Sequence, residues 1–533
     1  PSSSLARHHS SALMFSEDIR RPLNQTFAQM LERNRQQQAL VKKQSFSGPI
    51  WVNEGGFHCL MAGGESKQAV TLVKKIASAP ALSLPLDGYF WYDLRDDGLD
   101  PEEKEHHFGL VRHNTDPKPA YAAYRQLIHE LGRSRFVRRI PSPDGSESTW
   151  ALLYQQDDDH SILVAWIENE EAHLPIWIGQ PNETLTNGSV KDMMGNPIHS
   201  MPIANGCLVE LGAEPIYIEL NGHSPYPLLQ SIIKPDPFAL VLPGEETTIS
   251  VNLRNPHRQA VQAQLSVHAN TPKISFPDGN TITCILQPEA QLTVPVKLQA
   301  MPDLSSKSSV VDFDLQLDGI SLPTARIPCV IGQLIPKRSI STGFPLDLAG
   351  RDHIHNLYEA EPSSDMQWAG PDDLSAESAL SYDEKALYLS VKTVDQVHVQ
   401  PTHRNNLWQA DSLQIGMRLD ESRIDSYLEF GLSLTESEES GGWVYSSPGG
   451  VPIRTGELPD TLGYTISRNN TRTDYEVIIP WQLLGADGPV TTPFRLNFIV
   501  NDDDGKGRKQ WLQITPGIGE QKNANLFPLF LCR

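Results

Sequence analysis

The run PIWVNEGGF, residues 49–57, ends an apolar strand with an amide and a carboxylate. Apolar residues alternate in its first half, as in a buried β-strand, and Gly55-Gly56 predicts a sharp turn with unusual backbone angles. Glu54 is therefore expected at the rim of a buried strand. It is either a functional carboxylate or a strand-end glutamate that is solvated or paired with a lysine.

Two further side chains are candidates for substrate binding. Asn53 could hydrogen-bond a substrate or Glu54, although an asparagine before a turn often only caps the backbone. Trp91 lies in a second strand-like run, LDGYFWYDL, residues 86–94. Its ring could support a ligand, but aromatic residues on strands also pack in cores.

The elements around these residues alternate between helix and strand. Helical periodicity marks residues 16–43, 65–77 and 119–131, and the two strand-like runs fall between these segments. Pro119 suits a first helical turn, and Gly132 follows the third helix. This order is typical of parallel βα units.

Beyond Gly132 the pattern becomes all-β. Residues 150–220 contain short β-rich runs separated by turn dipeptides, which predicts a β-sandwich. Residues 225–337 alternate apolar and polar positions, as in an immunoglobulin-type sandwich. The last 200 residues hold further strands. We therefore expect a multidomain chain in which a helix–strand region precedes three all-β sandwich domains.

Composition narrows the classes of partner. A chain of 533 residues is long enough for three or more domains. Its formal net charge of −21 and the lack of a basic run argue against nucleic acid, and no apolar stretch is long enough for a membrane span. The chain begins at Pro1 without a methionine or a signal pattern, so we expect it to be the later part of a longer polypeptide.

No metal or cofactor site is predicted. The five cysteines are too scattered for a zinc site or a disulfide framework. The acidic run NDDDG, residues 501–505, does not match a calcium loop, because Val500 and Trp511 would fall at the first and last ligand positions. The paired histidines lack the i,i+4 spacing of a zinc hydrolase.

Residues 16–133 resemble the last two βα units of the (β/α)8 barrel in clan A retaining glycoside hydrolases, most closely the family 39 and family 5 types. The resemblance rests on PIWVNEGGF, GYFWYDLRDDG and FGLVRHNTDPKPAYAAYRQLIHELG. It implies a partial barrel in which the two strands are the seventh and eighth. It also implies that Glu54 is the nucleophile and that Trp91 forms the floor of a sugar subsite.

Retaining glycosidases need two carboxyl groups about 5–5.5 Å apart. In this clan the general acid/base lies at the end of the fourth strand, and this sequence contains only two of the eight barrel strands. We therefore expect the chain to lack the general acid/base, and an N-terminal fragment that completes the barrel is an expected partner.

The C-terminal region, about residues 340–533, resembles the family 9 carbohydrate-binding modules. The resemblance rests on ALSYDEKALYLSVKTVD, LWQADSLQIGMRLD, YEVIIPWQLL and FRLNFIVNDDDGKGRKQW. It implies that Trp408 is one of two tryptophans that hold a terminal sugar. Glu520 falls at the second position, so a structural role for this domain stays open.

The predicted domains are residues 1–135, part of a TIM-type barrel; 136–222, an accessory sandwich; 223–337, immunoglobulin-like; and 338–533, the module. The function implied is retaining β-glycoside hydrolysis of a polysaccharide or oligosaccharide, with carbohydrate as partner and no cofactor. The alternative is a non-catalytic carbohydrate-binding or scaffold protein. The resemblance favours a secreted or periplasmic location.

Overall fold

The structure is a computed structural model. It describes residues 13–16, 27, 30–31, 34, 37–38, 41–42, 48–60, 63–101, 103–142, 148–157, 160–169, 171–179, 186–204, 206–221, 227–288, 290–302, 304, 309–337, 344–347, 354–355, 368–419, 427–519 and 522–532.

The chain divides into two compact units, Pro1–Ile331 and Gly332–Arg533. Strands outnumber helices in both, so the chain is multidomain and β-rich, as predicted. The first unit begins with a parallel sheet and two helices: β1 (Leu13–Ser16), β2 (Ile50–Gly55), α1 (Gly64–Ser78), β3 (Gly88–Trp91) and α2 (Pro119–Leu131).

The parallel sheet has the order β1-β2-β3. Trp51 of β2 pairs with Gly88 of β3, and Gly55 pairs with Trp91, so the prediction that these two strands are parallel neighbours is confirmed. Strand β1 is a further finding, since the sequence predicts a helix from residue 16. The three described parallel strands fall short of the eight that a barrel needs, so the partial barrel stays a prediction.

The two helices follow their sequence signals closely. Ala69, Leu72 and Val73 of α1 are fully buried, as the apolar stripe predicts. Helix α2 begins at Pro119 and ends at Leu131, with Gly132 as its C-cap. Proline is tolerated in the first turn because an N–H there would have no partner within the helix. The predicted helix over residues 16–43 lies largely outside the described residues, and those described between 27 and 42 are helical.

The rest of the first unit is built from antiparallel sheets. Strands β4–β12 form two of them, β4-β5-β6-β11-β8 and β12-β7-β10-β9. Their bounds are β4 (Arg135–Arg139), β5 (Thr149–Gln155), β6 (His160–Ile167), β7 (Leu174–Gly179), β8 (Thr186–Asp192), β9 (Met201–Ile203), β10 (Gly206–Leu211), β11 (Ile216–Asn221) and β12 (Leu228–Ser231). The first of these sheets packs on the helical region, where Trp150 and Trp166 stack with ring centres 5.5 Å apart and Tyr154 donates a hydrogen bond to the carbonyl of Ala77.

A third group of strands completes this unit around its own apolar core. Its strands are β13 (Ile233–Pro235), β14 (Ala239–Val241), β15 (Glu246–Arg254), β16 (Val261–Ala269), β17 (Ile274–Ser275), β18 (Thr281–Leu286), β19 (Gln291–Ala300), β20 (Val310–Leu317), β21 (Ile320–Ser321) and β22 (Ala325–Ile335). One sheet has the order β13-β15-β19-β17, and the other contains β18-β16-β20-β22, with β14 on β22.

The second unit is a sandwich of two sheets around a large apolar core. Its strands are β23 (Phe344–Asp347), β24 (Ile354–His355), β25 (Leu374–Tyr382), β26 (Ala386–Asp395), β27 (Ser412–Arg418), β28 (Leu428–Leu434), β29 (Ser440–Ser446), β30 (Gly456–Glu457), β31 (Gly463–Asn469), β32 (Arg472–Pro480), β33 (Phe494–Asp503), β34 (Arg508–Gln513) and β35 (Leu529–Cys532). One sheet is β23-β25-β26-β32-β31, and the other contains β35-β33-β27-β28-β29-β30 with β34 on β33.

Candidate functional site

Glu54 is the next-to-last residue of β2, at the carboxyl-terminal edge of the parallel sheet. Its side chain is half-buried, and the following Gly55 pairs with Trp91 of β3. Ligand sites in sheets of parallel βα units form at this edge, because the βα loops open there. Glu54 therefore lies at the edge where the sequence predicts it.

The two glycines after Glu54 are needed for close approach rather than for unusual backbone angles. Neither glycine has a positive φ, so that part of the sequence prediction is wrong. A Cβ atom on Gly55 would overlap the hydroxyl of Tyr89, and one on Gly56 would overlap the carbonyl oxygen of Tyr92. The glycines thus let β3 and its extension lie against the end of β2.

Trp91 is half-buried and packs against the apolar core that contains Val52 and Leu72. The neighbouring Phe90 is 51% exposed and stacks on Trp51, with ring centres 5.6 Å apart. Successive side chains of a strand point to opposite faces, so Trp91 faces the core and Phe90 faces away from it. The role of Trp91 as the floor of a sugar subsite stays a prediction.

Asn53 lies in β2 directly before Glu54. Its side chain is outside the described part of the structure, so its contact with a substrate or with Glu54 also stays a prediction.

Asp93 is a candidate that the sequence reasoning missed. It follows β3 by two residues, and its buried Oδ1 has no hydrogen-bond partner among the described residues. Burial, and then the charges of Asp97 and Asp96, raise the pKa of Asp93 to about 7. The nearby cation, Lys118, is held 2.6 Å from Asp96. Asp93 can therefore exchange a proton near neutral pH, and the acidic run DLRDDG was the available signal.

Trp408 of the second unit lies in a short 3-10 turn in the loop between β26 and β27. The indole is partly exposed. The guanidinium carbon of Arg508 lies 4.9 Å from the centre of this ring and 4.5 Å from that of the buried Trp511. Two aromatic rings thus hold one arginine beside the loop. Glu520, at the position predicted for a second tryptophan, lies outside the described residues.

A continuous set of hydrogen-bonded polar side chains begins at Arg508. Its Nη1 donates to Oδ1 of Asn501 at 3.1 Å, and Nδ2 of Asn501 donates to Oε1 of Gln414 at 3.0 Å. Gln414 Nε2 then donates to Oε1 of Glu429 at 3.0 Å. All four side chains are buried, although asparagine and glutamine are mostly exposed in proteins and arginine and glutamate are rarely buried unless they are paired. We call Arg508, Asn501, Gln414 and Glu429 the polar array.

Strand alternation places the polar array on the outer face of its sheet. Leu413 and Ile415 point into the sandwich core, so Gln414 between them points outwards. Glu429 ends the array, where it accepts bonds from the hydroxyl of Tyr427 at 2.8 Å and from Nζ of Lys522 at 2.5 Å. The Lys522 side chain is 47% exposed. The array therefore connects a partly exposed tryptophan with a partly exposed lysine.

The acidic run at residues 501–505 is compensated by a lysine. Nζ of Lys509 lies 2.6 Å from Asp373, 2.8 Å from Asp504 and 4.0 Å from Asp502. The ammonium group stands where these carboxylates would otherwise hold a metal ion. Asp502 and Asp503 of this run are the last two residues of strand β33.

All five cysteines are free thiols. Among the described residues, no helix has both the length and the apolar character needed to cross a membrane.

No protein-family model and no curated protein matches the chain. Solved structures similar to it include a family 39 glycoside hydrolase from the gut symbiont Bacteroides cellulosilyticus WH2, with 21% identity and a TM-score of 0.30. That match covers 37% of this chain and 38% of the hydrolase. The chain therefore spans well under half of that relative.

A family 9 carbohydrate-binding module from Caldicellulosiruptor kristjanssonii, solved in complex with cellotriose, is also similar to this chain. The match covers 38% of this chain and 92% of the module. The identity is 16% and the TM-score is 0.26.

Proposed function

We propose that the protein recognises carbohydrate, and that the second unit binds sugar beside Trp408. The observation that supports this most directly is the polar array next to that indole. An aromatic face suits the apolar face of a sugar ring, while amide, guanidinium and carboxylate groups suit its hydroxyls. Binding sites for small molecules commonly combine an apolar wall with a few fixed polar groups.

We expect this binding to be weak. The groups of the polar array already bond to one another, so a sugar hydroxyl must compete with bonds that exist. One face of Trp408 also carries Arg508, and a single tryptophan contributes less than a two-sided clamp. These features favour recognition at low affinity.

Calorimetric titration of the full chain with xylo- and cello-oligosaccharides tests this proposal. We expect measurable binding that is lost in Trp408→Ala. The matched control is Trp51→Ala, which removes an indole from the first unit. Binding that survives Trp408→Ala, or that fails equally in the control, would contradict the proposed site.

We further infer that this chain is the C-terminal portion of a retaining β-glycoside hydrolase with Glu54 as its nucleophile. The position of Glu54 at the carboxyl-terminal edge of a parallel sheet supports this second candidate. In this proposal residues 1–135 are the end of a barrel, and residues 136–222, 223–337 and 338–533 are accessory sandwiches. The rest of the barrel, in an N-terminal fragment, supplies Glu54 with its general acid/base.

The alternative is a non-catalytic carbohydrate-binding or scaffold protein in which the parallel sheet is only a structural base. A fluorinated glycoside that traps glycosyl-enzymes separates the two, because only a nucleophile forms the covalent bond. Mass spectrometry of the protein assembled with a complete barrel should find the sugar on the peptide that contains Glu54. An unlabelled protein that still binds sugar would support the alternative.

A further inference from the structure

The loop that carries Trp408 is closed at its base by three groups that can bind a metal. Asp395 ends β26, His398 follows it, and Asp411 directly precedes β27. One ligand atom from each of these residues lies within 4.8 Å of the other two. Both aspartates are 5% exposed, and the side chain of His398 is 12% exposed. The three residues therefore form a compact and largely dry group.

The hydrogen bonds of His398 determine which of its ring nitrogens carries a proton. Nε2 lies 2.9 Å from the carbonyl oxygen of Leu434, which can only accept, so Nε2 carries the hydrogen. In the neutral ring Nδ1 then holds a lone pair. Nδ1 is buried, has no hydrogen-bond partner among the described residues, and lies 3.3 Å from Oδ2 of Asp411. A lone pair facing a carboxylate oxygen is repulsive unless a cation lies between them.

Asp411 faces this ring nitrogen with a carboxyl group that the backbone holds in place. It accepts backbone bonds on both oxygens, from Val399 at 2.6 Å and from Asp503 at 2.8 Å. Burial raises the pKa of Asp411 to about 8, against the opposite effect of these two bonds. A proton on Asp411, or a metal ion that replaces it, would bridge the carboxyl oxygen and Nδ1 of His398.

Three buried carboxyl groups, those of Asp395, Asp411 and Asp502, influence one another's pKa. Burial, followed by the charge of Asp411, raises the pKa of Asp395 to about 7. Asp502 is fully buried, its Oδ1 has no hydrogen-bond partner among the described residues, and the carboxylates of Asp411 and Asp395 add to burial in raising its pKa. The nearest cation to Asp395 is Arg468, at 3.6 Å. A divalent ion would replace protons on these carboxyls and compensate the charges that they then carry.

We propose that His398 Nδ1 and the carboxylates of Asp395 and Asp411 bind one divalent metal ion. One imidazole and two carboxylates suit Zn²⁺ or Mn²⁺ better than the all-oxygen preference of Ca²⁺. The bond from Nε2 of His398 to a backbone carbonyl is the outer bond that metal-ligating histidines commonly make. The ion would join both ends of the loop and so fix Trp408 over the polar array.

Zinc titration of the full chain, after treatment with a chelator and dialysis, tests the site without any sugar. We expect one Zn²⁺ per chain at this site and a rise in the thermal midpoint on loading, because the ion binds only the folded state. Asp395→Asn and His398→Gln should each weaken that binding at least tenfold. The matched control is Asp474→Asn, a partly exposed aspartate paired with Arg472, which should leave zinc binding unchanged.

Zinc binding of unchanged strength in both variants would overturn the site, as would the absence of any zinc-dependent shift in the wild-type midpoint. X-ray absorption spectroscopy of the zinc-loaded wild type identifies the zinc ligands without any variant, so it remains informative if a variant does not fold. A zinc ion bound by one imidazole and otherwise by oxygen atoms would support the site, whereas two or more imidazole ligands would contradict it.

The dependence of sugar binding on the ion rests on the proposed function and is measured separately. If sugar binding occurs, removal of the ion should weaken it several-fold. Zinc binding without any sugar binding would leave the metal site intact and contradict the sugar site instead.

Discussion

A carboxylate on the outer face of the sandwich and one at the edge of the parallel sheet differ in whether their oxygens have hydrogen-bond partners. Both oxygens of Glu429 accept hydrogen bonds, from Gln414, Tyr427 and Lys522. Asp93 instead has a buried oxygen without a hydrogen-bond partner in the described residues and a pKa raised to about 7. A fixed and satisfied group suits recognition, whereas an under-satisfied carboxyl suits proton transfer.

The largest expected effect concerns Glu54 and would sharpen this comparison. In a protein with all eight barrel strands, Glu54→Gln should lower turnover by several orders of magnitude and leave folding intact, because the covalent step is lost. Azide should partly restore turnover in Glu54→Ala and give a product of inverted configuration. Steady-state kinetics and product analysis check both results. Near-normal turnover in Glu54→Gln would leave Glu54 an ordinary strand-end carboxylate.

The next effect concerns the stability of the polar array. Glu429→Ala should lower the free energy of unfolding by about 2–3 kcal/mol, because it leaves buried donors of Gln414 and Tyr427 unpaired. The control, Glu476→Ala, removes an exposed glutamate bonded to Ser390 and should change stability by no more than about 0.5 kcal/mol. Denaturant unfolding measures both. Equal effects in the two variants would show that the array is not a cooperative network.

The smallest effect concerns the pH dependence of stability in the first unit. The folded pKa of Asp93 is raised, so its contribution is fully present below the unfolded pKa of about 4 and is lost as the pH rises to 7. Asp93→Asn mimics the protonated form, so the variant should be more stable than wild type at pH 8 by about 1 kcal/mol after solvent screening. Thermal or denaturant unfolding at pH 4 and pH 8 measures this. A difference that does not change with pH would contradict the raised pKa.

Local sequence signals predicted the local structure well. Pro119 and Gly132 mark the ends of α2, and the apolar run before Glu54 forms β2. Strand β1 was not predicted, because a four-residue strand has too little pattern and depends on pairing with β2. The function of Gly55 was also misjudged, since its close contact with Tyr89 is set by a strand more than 30 residues away.

The polar array shows why site residues are harder to predict than elements. Gln414 and Glu429 alternate with apolar residues, so the sequence alone makes them ordinary solvent-facing positions of a half-buried sheet. The segment between β34 and β35 lies on the outer face of that sheet, where Lys522 contacts Glu429 and Phe527 lies against Gly416. Trp408 could be found from sequence only through a family resemblance, and Asp93 only as one member of an acidic run.

Fluorine NMR of the full chain labelled with 5-fluorotryptophan tests the central claim, sugar recognition at Trp408, most directly. The ten tryptophans give separate probes, and the resonance that disappears in Trp408→Phe identifies this residue. On titration with cellotriose, we expect the Trp408 resonance to shift most, with a smaller shift for Trp511 behind Arg508. A saturating titration that leaves the Trp408 resonance in place, while tryptophans of the first unit shift, would contradict the assignment.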